Sequence, residues 1–133
     1  PWQHVLEPLS GYLKLAQALY ESPLEFSGSW NFGPNEHDAK PVSWIINEMV
    51  GAWPGASWQL DQSGTNPHEA NYLKLDVSKA KHNLSWQPIW SLNRTLSHIL
   101  AWHQAWLSGA DMRKQSINEI SEYMQAMGDW ENG

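Results

Sequence analysis

Apolar side chains recur every three or four positions at Val5, Leu9, Tyr12, Leu13, Ala16 and Leu19, the spacing of one helix face. This predicts a helix that begins near Glu7, with Pro8 in its first turn, buries that row and ends at Ser22-Pro23. A second row, Val42, Ile45, Ile46, Met49, Val50 and Trp53, predicts a helix opened by Pro41 and closed by Pro54-Gly55. The third row is Leu92, Leu96, Ile99, Leu100, His103, Trp106 and Leu107. Ser91 or Asn93 can cap that long helix and Ser108-Gly109 breaks it. Ile117, Ile120, Met124 and Met127 mark a last amphipathic helix, with Gly128 to Gly133 expected to fray.

Between these helices the pattern shortens. Ser29 to Phe32 reads as a brief strand entering a turn, where Gly33 can take a positive φ and Pro34 fixes the exit. Trp58-Gln59-Leu60 and the run Tyr72, Leu73, Leu75 also alternate like strands, and Trp2 and His4 can be extended. His37 to Lys40 reads as a polar loop. Asp76 is placed to cap a short helix from Val77 to about His82-Asn83, since a carboxylate can accept from free first-turn amides. Leu84 to Trp90 is irregular, its two indoles expected to cover a core edge. The pattern gives a mostly helical α+β chain with a few short strands, and one domain over residues 1–133.

A chain of 133 residues can bury about two-thirds of its unfolded surface around one core. Much of its apolar volume is indole, with 10 Trp against 2 Phe, and buried indole N–H groups need acceptors. Eight basic against 14 acidic residues give a formal charge of −6. That charge argues against a general nucleic-acid partner, whose binding depends on neutralising phosphates. The absence of Cys excludes disulfides, thiolate catalysis and Cys-ligated zinc, and points to the cytoplasm. No apolar run approaches a membrane span, and no signal-peptide pattern opens the chain. It starts at Pro1 in what reads as the middle of an element, so a fragment of a longer protein is expected.

A catalytic apparatus is not visible in the residues. His98 and His103 are five apart and lack the i, i+4 spacing of a helical zinc pair; no Gly-x-Ser-x-Gly elbow or Gly-rich phosphate loop occurs. Glu119, Glu122, Asp129 and Glu131 read as a solvated face and tail. Binding chemistry remains: Trp2 and His4 before the first helix, Asn31 and Asn35 at the first turn, and the stretch Asn66 to Lys74 with His68, Glu69, Asn71 and Tyr72. Aromatic faces suit a sugar or base, and amide, carboxylate and imidazole groups give directional hydrogen bonds. These residues alone leave open a carbohydrate- or protein-binding module without catalysis.

Four blocks carry a family resemblance: Pro1 to Leu13 (PWQHVLEPLSGYL), Trp30 to Pro34 (WNFGP), His68 to Asp76 (HEANYLKLD) with Ser78-Lys79-Ala80, and Leu84 to Pro88 (LSWQP). In this order they resemble the C-terminal part of CDP-glucose 4,6-dehydratases, which are extended short-chain dehydrogenase/reductases. The resemblance implies an α/β protein whose N-terminal Rossmann half, absent here, binds NAD, while this part binds the nucleotide sugar. It also implies a homodimer acting on a CDP-sugar in polysaccharide biosynthesis. In the implied reaction a hydride leaves C4 of the glucose, water is lost across C5 and C6, and the hydride returns at C6. The Trp2-x-His4 segment matches a strand beside a nucleotide-contacting Arg. The Asn66 stretch matches a loop that holds the diphosphate with an Arg in relatives, and Asn66 stands at that place. With Asn66 there and no Arg nearby, contact with the nucleotide or pyrophosphate is expected of His68, Glu69 and Tyr72 instead. A sugar-nucleotide epimerase or dehydratase of another specificity fits the same blocks.

Overall fold

A computed structural model describes residues 2–60 and 74–131, with side chains as far as Asp129. Among the described residues six α-helices follow one another: α1 (Leu6–Glu21), α2 (Pro23–Phe26), α3 (Val42–Ala52), α4 (Ser78–Asn83), α5 (Leu92–Leu107) and α6 (Met112–Glu131), with a 3₁₀ turn at Glu36–Asp38. Helix α5 packs against both α3 and α6, and α2 folds back on α1. Of the second helical row Ile45 is buried and Met49 packs with it, beside Trp44, against Leu92 and Leu96 of α5, whereas Val42 at its start is exposed. Positive φ angles at Gly55 and Gly109 lie just past α3 and α5, where a left-handed residue terminates a helix at no steric cost.

The start of α5 is capped twice. Ser91 Oγ accepts from Arg94 N at 3.3 Å, as its place predicts. Asp38 Oδ1 accepts from Leu92 N at 3.1 Å, so the expected polar loop at His37 to Lys40 is a 3₁₀ turn that buries an acid on a helix end. That placement is favourable because the first amides of a helix lack partners and carry partial positive charge. Asp76 caps α4 from one position earlier than predicted, its Oδ1 accepting from Ser78 N at 2.9 Å.

Several expectations are corrected. The apolar row of α1 faces out, with Val5, Leu9, Tyr12 and Leu13 exposed, whereas Glu7 and Gly11 are buried. At Gly11 the Phe32 ring lies where a side chain would begin, so that turn admits only glycine. The same inversion occurs on α6: Ile117, Ile120 and Met124 are exposed and Tyr123 is buried. That helix also runs through Gly128 to Glu131, where fraying was expected.

The few short strands are not seen among the described residues. Phe32 O accepts from Gln3 Nε2 at 3.0 Å, and Asn31 Nδ2 donates to Asp76 O at 3.1 Å. Side chains thus fasten these extended segments where a ladder would need paired main chains. Trp58 is tied by its indole to Asn47 Oδ1 at 2.9 Å, and Leu75 is coil; Tyr72 and Leu73 lie outside the described residues. Gly33 does not use a positive φ; its lack of a side chain leaves room for Leu75, which a Cβ at that position would meet at 3.1 Å.

Trp86 and Trp90 do not cover a core edge: they are 2% and 3% exposed. Trp86 joins Phe32, Val77 and Ala80 in one apolar cluster.

Candidate functional site

The segment 29–36 lies along 74–81 and is stitched to it by side chains. Asn31 Nδ2 donates to Asp76 O (3.1 Å), Lys81 Nζ to Asn35 Oδ1 (3.1 Å) and Lys79 Nζ to Ser29 O (3.0 Å). Lys74 Nζ stands 3.4 Å from Glu36 Oε1, and the Lys79 ammonium sits 4.1 Å above the Trp30 ring. Asn31, Asn35 and Lys74, singled out separately in the sequence, therefore share one polar wall. Its exposed ion pair adds little stability; the wall's consequence is positional, since it anchors the main chain where the stretch from Asn66 ends. Asn66, His68, Glu69, Asn71 and Tyr72 lie outside the described residues.

His4 sits elsewhere. It is 4% exposed, edge-on to Trp90 at 4.9 Å, and its Nδ1 accepts from Leu6 N at 3.3 Å. The imidazole thus serves an unpaired amide at the start of α1, whose cap residue Val5 offers no side-chain acceptor. Burial, then the neighbouring His98, lowers its pKa to about 4. It is neutral at neutral pH, so the 3.7 Å approach of its Nε2 to Glu119 Oε1 is not an ion pair there. Trp2 is half exposed.

Around His4 lies a buried polar cluster that sequence reasoning missed. Glu7 is fully buried and accepts from Trp90 N (2.7 Å), Ile89 N (3.0 Å) and Tyr123 OH (2.7 Å). Burial raises its carboxyl pKa above the ordinary value, against the pull of those donors. Ser10 Oγ donates to Glu7 O (2.7 Å), accepts from Trp86 Nε1 (2.9 Å) and lies 3.1 Å from the Tyr123 oxygen. Burial raises the Tyr123 hydroxyl pKa too, so it stays a donor.

Glu119 is also not the solvated acid expected. Its side chain is 11% exposed, with His98 Nδ1 3.3 Å from Oε1, and burial raises its pKa against the pull of His98. Glu122, on the outer side of His98, is exposed as expected. The His98 ring stacks on Trp90 at 4.0 Å and 5°.

The cluster's groups are held against one another, beside a small cavity of about 190 Å³ lined by His4, Val5, Ile99, Trp102, His103 and Glu119. A larger cavity of about 330 Å³ between α3, α5 and Trp58 is lined by Ile46, Met49, Val50, Trp53 and Leu100. Its apolar wall offers a sugar hydroxyl few partners. Among the described residues no group of three His, Cys, Asp or Glu side chains is placed to hold a metal ion. No helix there is long and apolar enough to cross a membrane.

No protein-family model matches the chain. Among curated proteins it is similar to a nucleotide-sugar dehydratase, and the match falls on the C-terminal part of that enzyme. The relative is the CDP-glucose 4,6-dehydratase of Salmonella typhimurium, 55% identical over 127 residues. Those residues make up 95% of this chain and 35% of the relative, so the chain spans about a third of the length of the enzyme it matches.

Proposed function

We propose that this chain is the substrate-binding part of a CDP-glucose 4,6-dehydratase, an NAD-dependent lyase that converts CDP-glucose to CDP-4-dehydro-6-deoxy-glucose in polysaccharide biosynthesis. The observation that carries the reading is the 55% identity sustained over 95% of the chain. Within it, residues 1–133 form one domain whose polar wall, Asn31, Asn35, Lys74 and Asp76, takes in residues that follow directly in sequence on the stretch bearing Asn66, His68, Glu69 and Tyr72. Those four residues contact the nucleotide or pyrophosphate. Trp2 presents a half-exposed aromatic ring just ahead of α1, and the buried His4 fixes the start of that helix by accepting from Leu6 N.

NAD does not fit the residues present. The sequence holds no Gly-rich dinucleotide loop and no Tyr-x-x-x-Lys pair, so both belong to the remaining length of such an enzyme, and this chain alone is inactive. The intact protein is a cytoplasmic homodimer in this reading.

The test gives the full-length protein CDP-glucose, UDP-glucose and dTDP-glucose separately and looks for a 4-keto sugar. Conversion of CDP-glucose is expected; conversion of none of the three removes the assignment. In that protein His68→Ala and Glu69→Ala are each expected to weaken CDP-sugar binding by about 1–3 kcal/mol, the cost of a lost buried hydrogen bond. Unchanged affinity in both would take the loop out of the site.

A further inference from the structure

The outward face of α1 is unlike an ordinary solvated helix face. Val5, Leu9, Tyr12, Leu13 and Tyr20 are 44–91% exposed, and Ala16 lies among them. At 100° per residue all six fall within one arc, opposite the buried Glu7 and Gly11. No charged residue interrupts that arc from Val5 to Tyr20, although solvent-facing helix faces normally carry charges. Exposed rows elsewhere differ: on α6, Arg113 lies in the same arc as Ile117, Ile120 and Met124.

We propose that this face is the seat on which the rest of the same polypeptide packs, so that α1 is a two-sided helix, polar toward this domain and apolar toward the remainder of the protein. The inference rests on the reading that the chain is part of a longer enzyme. Two observations select this occupant. Roughly two-thirds of the relative's length lies outside the match, which is ample chain to form a covering layer. A helix of 16 residues is about 24 Å long and about 10 Å wide, so its face offers roughly 240 Å². A stable interface with a second copy needs about 800 Å² per partner, which the face cannot supply by itself. A tethered layer of the same chain needs no such area, because its effective concentration is already high.

The experiment uses the full-length protein carrying Leu13→Cys and, separately, Tyr20→Cys at the other end of the face. Maleimide labelling of the introduced thiol is followed by peptide mass spectrometry, in native buffer and in urea, with mass measured by light scattering. At least about 100-fold slower labelling in the folded protein, unchanged on dilution to the monomer, is expected. Labelling at nearly the unfolded rate would overturn the seat, and protection lost on dilution would give the face to a second copy and overturn it equally. Should Leu13→Cys unfold the protein, the Tyr20→Cys variant decides alone. CDP-glucose conversion by the unmodified protein separates the two readings. Conversion with a freely labelled face sinks only the seat. Protection without conversion of any of the three sugars sinks only the function.

Discussion

Helices α1 and α5 are each 16 residues long and each carries an apolar row at helical spacing, yet α5 turns Leu92, Leu96 and Leu100 of its row inward, with Trp106 and Leu107 at its far end exposed, and α1 turns its row out. The difference lies in what each helix meets. Leu92 and Leu96 of α5 meet Ile45, Trp44 and Met49, for which apolar area is the whole requirement. Helix α1 meets the Trp86 indole N–H, the Tyr123 hydroxyl and two main-chain amides. Buried donors of that kind require acceptors, and the cost of leaving them unpaired exceeds the gain from burying a leucine there. Glu7 and Ser10 supply those acceptors, so the polar side of α1 goes in. Periodicity therefore located both helices but oriented only the part of α5 whose partner is apolar.

The largest effect that sharpens this contrast is expected from Glu7→Ala, which strands the amides of Ile89 and Trp90 and the Tyr123 hydroxyl in the interior. The loss should be about 3–5 kcal/mol, since each buried donor left without an acceptor costs about 1–3 kcal/mol, read from urea unfolding of the 133-residue chain. A loss below about 1 kcal/mol would mean that the network does not orient α1. The apolar counterpart, Leu96→Ala in α5, is expected to cost about 3–4 kcal/mol through lost transfer energy and a cavity. If Leu96→Ala proves nearly neutral, the row of α5 is not held by packing and the comparison fails on its other side.

What could be read in the sequence divides along the same line. The cap at Ser91, the Asp76 cap and the stops at Gly55 and Gly109 are local chemistry and were legible. Glu7 and Tyr123 are 116 positions apart, and a Glu in a first helical turn reads as a surface charge favoured by the helix dipole. Nothing local marks it as buried. Short extended runs read as strands because alternation is local, while a ladder partner is not. At the candidate site, Asn31, Asn35 and Lys74 were legible as polar residues in connecting segments. Their assembly into one wall depends on Lys79, Lys81 and Asp76 across some 45 positions. His4 was legible as chemistry but not as a buried cap.

The next effect is one of pH. The folded pKa of His4, about 4, lies below its ordinary 6.5, so between these values the unfolded chain binds a proton that the folded chain refuses. Its contribution is complete above pH 6.5 and falls away as pH drops toward 4, by at most about 3 kcal/mol. Glu7 and Glu119, whose pKa values are raised, act oppositely. Their charged forms subtract stability above their raised pKa values, and that loss is recovered as pH falls toward the ordinary 4.5. The His4 part is isolated with His4→Asn, which keeps an acceptor for the Leu6 amide. Stability of the native chain minus that of the variant, from urea midpoints at pH 7 to 4, should decline with acidification. A flat difference would place His4 in contact with water.

The smallest expected effect tests the outward side of α1 itself. Leu13 is 73% exposed, and Gln nearly equals Leu in helix propensity, so Leu13→Gln removes apolar surface and little else. In the 133-residue chain the change should lie within about 0.5 kcal/mol of neutral, as for exposed positions without special geometry. A cost near that of Leu96→Ala would show that α1 buries its apolar row in this chain after all, and the contrast with α5 would vanish. Repeated in the full-length protein, the same substitution should cost about 1–3 kcal/mol, the effect of a polar group placed against a packed apolar layer. The two measurements together separate a face that is apolar for no partner from one that is apolar because the rest of the chain lies on it. Only the second gives near neutrality in the short chain and a penalty in the long one.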